Sequence, residues 1–426
     1  MNDGPTIRVL NEDIPNFHHW RTTAAAFTAA TGIRVEFEYL WLNDYWQAIM
    51  AAYTHRAGDF DVVATDEMLL PLYARGGAVV PLDAYVERDS FDLSPFSREA
   101  LACASVDGVL YGIPYSNMSN ILVYRADLFE RYGFRPPRTL AELREVAVGI
   151  RQALVADGKH DTYGLIARGK PGAGANVWIL GSTIAPSFGA RWYDEHGRPS
   201  FNSPAMVAAL GYYSDLLQQA APPDSAEIDW YNGSERYFRG EAAMFIEAAS
   251  EIGNWYDRKS PVAELSRATL VPAGPGGDRH AGLYSPAWNI PAASRHPEAA
   301  WQFIRWAAGA EPAAIDLASG HVEQARLTAL IDPRATQRYP ADLVEAVLTT
   351  RAFARNERHV EDDWLPVGDA FGEAIAAAIA GRKDPQTALD DAQAQIERIH
   401  AATSWRLKSL QPEPSRENSN PWQTPT

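Results

Sequence analysis

The sequence predicts an α/β fold that is divided into more than one domain. The chain has 426 residues, which exceeds the usual size of a single domain. A strand–helix–strand pattern opens the chain, and amphipathic helices recur further along it. The composition, 46% hydrophobic and 22% charged residues, is typical of a globular protein with sizeable cores.

The first elements form a βαβ unit. Residues 6–11 alternate and are rich in β-branched side chains, which predicts a strand. Apolar residues then recur every three or four positions over residues 17–30, which predicts a helix that ends at Gly32. Residues 33–40 alternate strictly, and residues 60–66 are more continuously apolar, as expected for a strand covered on both faces. We therefore expect a parallel or mixed sheet.

Three later helices carry start signals. Thr139 and Glu142 form a capping-box pattern. Pro297 begins a second helix, and Asp384 caps a third that begins at Pro385. From residue 411 the chain consists mainly of polar residues and proline, and we expect a disordered or surface-draped tail.

The segment 108–133 is unusual because a polar stretch separates two predicted strands, 109–114 and 121–124. Between them lie Tyr115, Asn117 and Asn120, which supply an aromatic ring and neutral hydrogen-bonding groups. A polar turn is the structural alternative. The other interpretation is that these groups meet a neutral, hydroxyl-rich ligand.

Charge and motifs exclude several classes of function. The 38 basic and 54 acidic residues give a formal charge of −16, which argues against binding to nucleic acids or anionic membranes. One cysteine, Cys103, permits no internal disulfide, and its apolar neighbours predict a buried thiol. We find no motif for a metal, a cofactor or a catalytic nucleophile, and predict none of the three. No segment is long and apolar enough to span a membrane.

Four segments resemble a known family when they are taken in order. They are FDVVATDEMLLPLYARGGAVVPLD (residues 60–83), GVLYGIPYSNMSNILVYRADLFERYG (108–133), RGKPGAGAN followed by SFGARWYDEHGRPSF (187–201), and HPEAAWQFIRWAAG (296–309). Together they resemble the extracellular solute-binding proteins of ABC importers, in the class that carries sugars and sugar alcohols. The resemblance covers roughly residues 6–401.

The resemblance implies a two-lobed periplasmic-binding-protein fold of the class II type. Three crossings join the lobes, and the ligand cleft lies between them. The N-terminal lobe is expected to contain residues 1–113 and 287–320. Residues 118–284 and 325–408 form the C-terminal lobe, and residues 409–426 form the polar tail.

Candidate ligand-binding residues follow from strand ends and from the resemblance. In open α/β sheets, ligands bind at the carboxyl ends of the strands, where Asn11, Glu12, Trp41, Asn43 and Asp66 lie. The resemblance adds the crossings and the second lobe. The full candidate set is Asn11, Glu12, Trp41, Asn43, Asp66, Tyr115, Asn117, Arg168, Trp178, Glu247, Trp288 and Arg355.

Each role has a structural alternative. Asn11 and Asp66 could instead cap helices. Trp288, the expected stacking platform, could be a core tryptophan. Arg168 and Arg355 could pin loops through ion pairs, or could bind an anionic ligand.

The resemblance implies a monomeric substrate-binding protein that delivers a sugar, polyol or glycoside to the permease subunits of an ABC transporter. It would act in the periplasm or outside the cell. Because residues 1–4 lack signal-peptide features, we expect the printed chain to be a mature form. A glycoside hydrolase and a sensory sugar-binding protein that signals to a receptor remain alternatives.

Overall fold

The computed structural model describes residues 4–14, 17–54, 58–172, 175–251, 260–356 and 362–410. The side chains of residues 42–43, 334–336 and 404–410 also lie outside this description. Within the described residues, two five-stranded sheets and one two-stranded sheet are surrounded by helices.

The strands are β1 (Thr6–Glu12), β2 (Arg34–Leu40), β3 (Val62–Thr65), β4 (Ser105–Val106), β5 (Val109–Leu110), β6 (Gly112–Pro114), β7 (Met118–Arg125), β8 (Met244–Ala248), β9 (Ser266–Leu270), β10 (Ala281–Tyr284), β11 (Ala287–Asn289) and β12 (Ala354–Arg355). The helices are α1 (Trp20–Thr31), α2 (Leu42–Thr54), α3 (Leu70–Arg75), α4 (Asp83–Arg88), α5 (Arg98–Cys103), α6 (Ala126–Tyr132), α7 (Leu140–Ala156), α8 (Asn176–Ile179), α9 (Ala185–Ser187), α10 (Pro204–Ala220), α11 (Trp230–Phe238), α12 (Pro297–Ala307), α13 (Ala310–Ala318), α14 (Pro333–Arg338), α15 (Ala341–Thr350), α16 (Trp364–Ile379) and α17 (Pro385–Leu410). A π-helical segment, Leu180–Ile184, connects α8 to α9.

The first lobe is built on the sheet β2-β1-β3-β11-β6. β1 is parallel to β2 and β3, whereas β11 is antiparallel to β3 and β6. The sheet is therefore mixed, as predicted. Trp20, Ala24 and Phe27 of α1 are buried, as the helical spacing predicts. Gly32 ends α1 with φ 77°, a conformation that a residue without a Cβ adopts easily.

The second lobe is built on the sheet β12-β10-β7-β8, with β9 also paired to β7. Its strands are antiparallel, except for the parallel pair β10 and β12. Helices α7, α10, α16 and α17 cover this sheet with a large apolar cluster. Thr139 and Asp384 cap the starts of α7 and α17, as their patterns predict.

Three chain crossings join the lobes and run side by side. The first lies between β6 and β7, the second between β10 and β11, and the third at residues 321–325. Tyr115 N donates to the Pro286 carbonyl (3.2 Å), Asn117 N to the Glu323 carbonyl (2.9 Å) and Ala325 N to the Tyr115 carbonyl (3.3 Å). These backbone bonds tie the first crossing to both of the others.

The structure differs from the sequence-based expectation around the first crossing. Residues 109–114 form two short strands, because β5 pairs with β4 while β6 pairs with β11. β7 begins at Met118, three residues earlier than expected, because Met118 and Ser119 pair with β10. Cys103 is only half-buried.

The predicted polar tail begins with residues 409 and 410, the last two of α17, and the rest of it, 411–426, lies outside the described residues. None of the described helices has both the length and the apolar composition needed to cross a membrane.

Candidate functional site

The carboxyl ends of the parallel strands carry polar groups to one edge of the first sheet. Asn11 and Glu12 end β1, Trp41 follows β2, and Asp66 follows β3. Asn11 is fully buried, and its Oδ1 accepts from Glu12 N (2.8 Å). Burial raises the pKa of Glu12 to about 7. These strands therefore present at least two acidic groups at the edge that faces the second lobe.

Asp66 joins the lobes through its carboxylate. Its Oδ1 accepts a hydrogen bond from the hydroxyl of Tyr284. Asp66 belongs to the first sheet and Tyr284 to β10 of the second. The Asp66 carboxylate is buried, and a carboxylate can accept further hydrogen bonds from hydroxyl groups.

Tyr115 and Trp288 pack together where the first two crossings meet the first lobe. Their ring centroids are 4.7 Å apart and tilted by 32°. Burial, helped by the nearby Asp66 and Glu12 carboxylates, raises the pKa of Tyr115 well above its usual value, so its hydroxyl stays protonated.

Trp288 is fully buried, and also packs against Trp20 (5.9 Å) and Phe303 (6.0 Å). Trp288 is therefore a core tryptophan, which was the structural alternative to a stacking platform. It presents no ring face to a ligand in this structure.

Three predicted residues of the second lobe meet in one buried cluster. Arg168 Nε and Nη2 donate to the two carboxylate oxygens of Glu247 at 2.7 and 2.5 Å. The guanidinium lies over the ring of Trp178, 4.6 Å from its centroid. Glu247 is completely buried at the end of β8. This two-point pairing holds the guanidinium plane in a fixed orientation.

Buried polar atoms without a protein partner lie next to this cluster. Among the described residues, Asn120 Nδ2, Trp178 Nε1 and Ser182 Oγ have no hydrogen-bond partner. The side chains of all three residues border the same face of Gly282. Since buried polar groups are normally paired, we expect water or a ligand group to satisfy them.

Glu251 was not among the candidates, yet it lies close enough to Glu247, Arg168 and Glu12 for their charges to shift its pKa. Burial, together with the charges of Glu247 and Glu12, raises its pKa to about 8. Glu12 belongs to the first lobe and Glu251 to the second, so carboxyl groups of the two lobes lie close enough to influence each other. The spacing of Glu247 and Glu251 at the end of an apolar run is the sequence signal that could have identified it.

An aromatic cluster of Trp41, Trp230 and Tyr231 also connects the lobes. The ring centroid of Trp41 lies 5.8 Å from that of Trp230 and 5.1 Å from that of Tyr231. Trp230 and Tyr231 begin α11, whereas Trp41 follows β2. Trp41 was a candidate from the sequence, but its two partners were not, because nothing in the sequence brings α11 near β2.

Comparison with known proteins agrees with this two-lobed cleft. The family described as bacterial extracellular solute-binding protein matches residues 19–314. The chain belongs to this family. A mannitol-binding protein of Pseudomonas aeruginosa is 31% identical over 59% of this chain and 57% of its own length. The aligned part thus spans little more than half of that relative.

Solved structures of other solute-binding proteins are similar to this structure over almost the whole chain. A solute-binding protein of Agrobacterium radiobacter K84 in complex with ribitol is 26% identical, with a TM-score of 0.84 over 93% of this chain and 99% of its own. One from Agrobacterium vitis S4 with bound D-mannitol is 25% identical, with a TM-score of 0.82 over 94% and 99%.

In this solute-binding protein, a buried network holds the crossings together. His321 Nε2 lies 2.8 Å from Ser116 Oγ, and His321 Nδ1 lies 3.0 Å from Asp316 Oδ2. Serine, histidine and aspartate in series resemble a hydrolase triad. Here Ser116 and His321 are completely buried, and Ser116 Oγ also donates to the Glu323 carbonyl (3.2 Å). In this structure the network therefore joins the first and third crossings.

Glu323 completes the junction. Its carboxylate accepts from Ser119 N (2.7 Å), Ser119 Oγ (3.2 Å) and Ser250 N (2.8 Å). Burial nonetheless raises its pKa to about 7. Sequence reasoning missed it because its partners are distant in the chain.

Two of the predicted residues, Asn117 and Arg355, do not join the central group. Asn117 Nδ2 donates to Ser97 Oγ (3.1 Å) at the start of α5, so its side chain fastens the crossing to the first lobe. Arg355 is exposed and lies 3.6 Å from Glu99, in a different cavity of about 560 Å³. The side chain of Asn43 lies outside the described residues.

Proposed function

We propose that this protein is the substrate-binding protein of an ABC importer and that it captures a neutral polyol or sugar between its lobes. The observation that carries the proposal is the cleft itself. Carboxyl groups of the two lobes lie close enough to influence each other, and the Tyr115 ring lies close to Asp66 and Glu12. Carboxylates accept hydrogen bonds from hydroxyl groups, and ring faces cover C–H surfaces. Ligands of this kind are bound by the mannitol-binding relative and by the two similar solved structures.

The charge of the cleft favours a neutral ligand over an anionic one. Arg168 is already paired with the buried carboxylate of Glu247, and Arg355 lies in a separate cavity beside Glu99. The carboxyl groups of Glu12, Asp66 and Glu251 offer an anionic ligand no positive charge to pair with. We therefore assign Glu12, Trp41, Asp66 and Tyr115 as first-lobe contacts, and Arg168, Trp178 and Glu247 as the second-lobe surface.

The proposal has three further parts. The protein delivers its ligand to membrane permease subunits, it acts in the periplasm or outside the cell, and it is a monomer. Family membership supports the first two. We retain the lobe bounds 1–113 with 287–320 and 118–284 with 325–408. They are supported by the division of strands between the two sheets. Leu317 of α13 packs with second-lobe residues, which places this helix at the junction.

A thermal-shift screen tests the ligand class. The purified protein is tested against D-mannitol, ribitol, neutral monosaccharides, acidic sugars and glycosides, and each hit is measured by calorimetry. A ligand present at a hundred times its Kd stabilises the folded state by about 2.7 kcal/mol. Asp66→Asn is expected to lower the affinity for a polyol found in the screen about tenfold. Asp157→Asn, on the outer surface of the second lobe, is expected to leave this affinity unchanged.

The same screen separates binding from catalysis. Glu12 and Glu251 have raised pKa values, which is also what a glycoside hydrolase requires of its acid. We expect every ligand to be recovered unchanged after prolonged incubation. Cleavage of an aryl glycoside by the wild type, lost in Glu251→Gln, would contradict the proposal. Binding of acidic sugars alone would contradict the neutral ligand class.

A further inference from the structure

The aromatic cluster of Trp41, Trp230 and Tyr231 has features that ligand stacking alone does not explain. Its three rings contact one another, with Trp230 and Tyr231 centroids 5.6 Å apart. Trp41 is 37% exposed and Tyr231 45% exposed. Trp230 comes from the second lobe but packs against the apolar core of the first. The cluster therefore bridges the lobes at the surface of the molecule.

The topology shows where this bridge lies. Trp41 follows β2, which is the edge strand of the first sheet. The crossings leave from β6 and β11, at the opposite edge. Three strand spacings, about 14 Å in all, separate β2 from β11. The cleft is thus bounded by the crossings at one end and by the aromatic cluster at the other.

We propose that the aromatic cluster closes the end of the cleft opposite the crossings and sets an upper limit on the length of the ligand. The inference rests on the proposed function and specifies its substrate class. A linear polyol or a monosaccharide fits between the crossings and the cluster. A glycan chain that extends past β2 has to separate Trp41 from Trp230 and Tyr231.

Separating these rings weakens binding of a long ligand in two ways. The ring–ring contacts are lost, and so is the packing of Trp230 against the first lobe, whose burial favours closure. Since lobe closure must be more favourable with the correct ligand than with others, a ligand that prevents these contacts is discriminated against. The cluster discriminates between ligands by their length and not by their pattern of hydroxyl groups.

The test compares one short and one long probe on matched variants. D-Mannitol and maltotriose are titrated by calorimetry into the wild type, Trp230→Ala/Tyr231→Ala and Trp230→Phe/Tyr231→Phe. The phenylalanine variant keeps two rings in place and serves as the control. Tyr231→Ala, at the more exposed position, is the fallback if the double alanine variant does not fold.

We expect the wild type and the phenylalanine variant to bind mannitol at least a hundredfold more tightly than maltotriose. In the alanine variant this ratio should fall at least tenfold. An unchanged ratio, with mannitol still bound, would overturn the inference and leave the proposed function intact. Tighter binding of maltotriose than of mannitol by the wild type would also overturn it, while sugar binding would stand. If no polyol or sugar binds any variant, the proposed function fails, and the inference fails with it.

Discussion

Arg168 and Glu247 illustrate how a buried charge is held in the second lobe. Both side chains are almost completely buried, at 8% and 0% exposure. Each neutralises the other through two hydrogen bonds, and the ring of Trp178 covers the guanidinium. Removing both charges from such a pair is often tolerated, whereas removing one leaves the other charge buried without compensation.

We therefore predict that Arg168→Met lowers the free energy of unfolding by about 3–5 kcal/mol. Arg168→Met/Glu247→Leu should recover most of this loss, because no unpaired charge remains buried. Lys383→Ala, which breaks the exposed pair with Asp391, is the control and should cost less than about 1 kcal/mol. Urea unfolding measures all three. Equal losses in Arg168→Met and Lys383→Ala would contradict the account.

A second prediction concerns pH. Burial raises the pKa of Glu12 and Glu323 to about 7 and that of Glu251 to about 8. In the unfolded chain these groups titrate near 4.3. Between these values the folded protein holds more protons than the unfolded chain, so the free energy of unfolding falls as pH rises. The stabilisation is complete below about pH 4.3 and is lost by about pH 8.

We expect the Tm to be lower at pH 8 than at pH 5, by roughly 5 °C. Glu251→Gln should reduce this difference, because glutamine stays neutral across the range, and Glu130→Gln on the exposed face of α6 should not. Thermal unfolding at constant ionic strength provides the measurement. A Tm that rises steadily from pH 5 to pH 8 would contradict these assignments.

At the scale of elements, β10 lies unusually close to the π-helical segment. Gly282 N donates to Asn120 Oδ1 (3.2 Å) and Thr183 Oγ1 (3.0 Å). A Cβ at Gly282 would lie 2.8 Å from Ser182 Cβ and from Trp178 Nε1. The absence of a side chain at this position lets the strand and the helical segment meet, and this contact positions Trp178 beside Arg168.

Gly282→Ala should therefore destabilise the protein by about 1–3 kcal/mol, the usual cost of overpacking. Ligand affinity should fall as well, because Trp178 would be displaced. Gly211→Ala in α10 is a matched control. A Cβ at Gly211 would lie 3.9 Å from the nearest atom, Pro385 Cγ, which is an ordinary contact. Alanine in a helix interior is neutral to slightly stabilising. Thermal unfolding that shows no difference between the two variants would argue against close packing at Gly282.

The elements that could be predicted from the sequence are those whose signals are local. β1, α1, β2 and β3 follow from periodicity, and Gly32 ends α1 as its position indicates. The split of residues 109–114 could not be predicted, because it depends on the choice between β4 and β11 as partners. The burial of Trp288 depends in the same way on Trp20 and Phe303, which are distant in the chain.

At the scale of the whole molecule, the lobes touch on several sides of the cleft. Asp66 and Tyr284 meet near the crossings, the aromatic cluster lies at the opposite end, and Arg75 Nη1 lies 3.2 Å from Asp362 Oδ1. The family resemblance could predict that a cleft exists. It could not predict which side chains meet across it, because those contacts depend on how the two lobes are oriented.

A crystal structure of the protein grown with the best polyol from the screen tests the central claim most directly. We predict electron density for one intact ligand enclosed between the lobes. Its hydroxyl groups should donate to Asp66 and Glu12, and it should lie on the crossing side of the aromatic cluster. Density only outside the cleft, or for a cleaved product within it, would contradict the account.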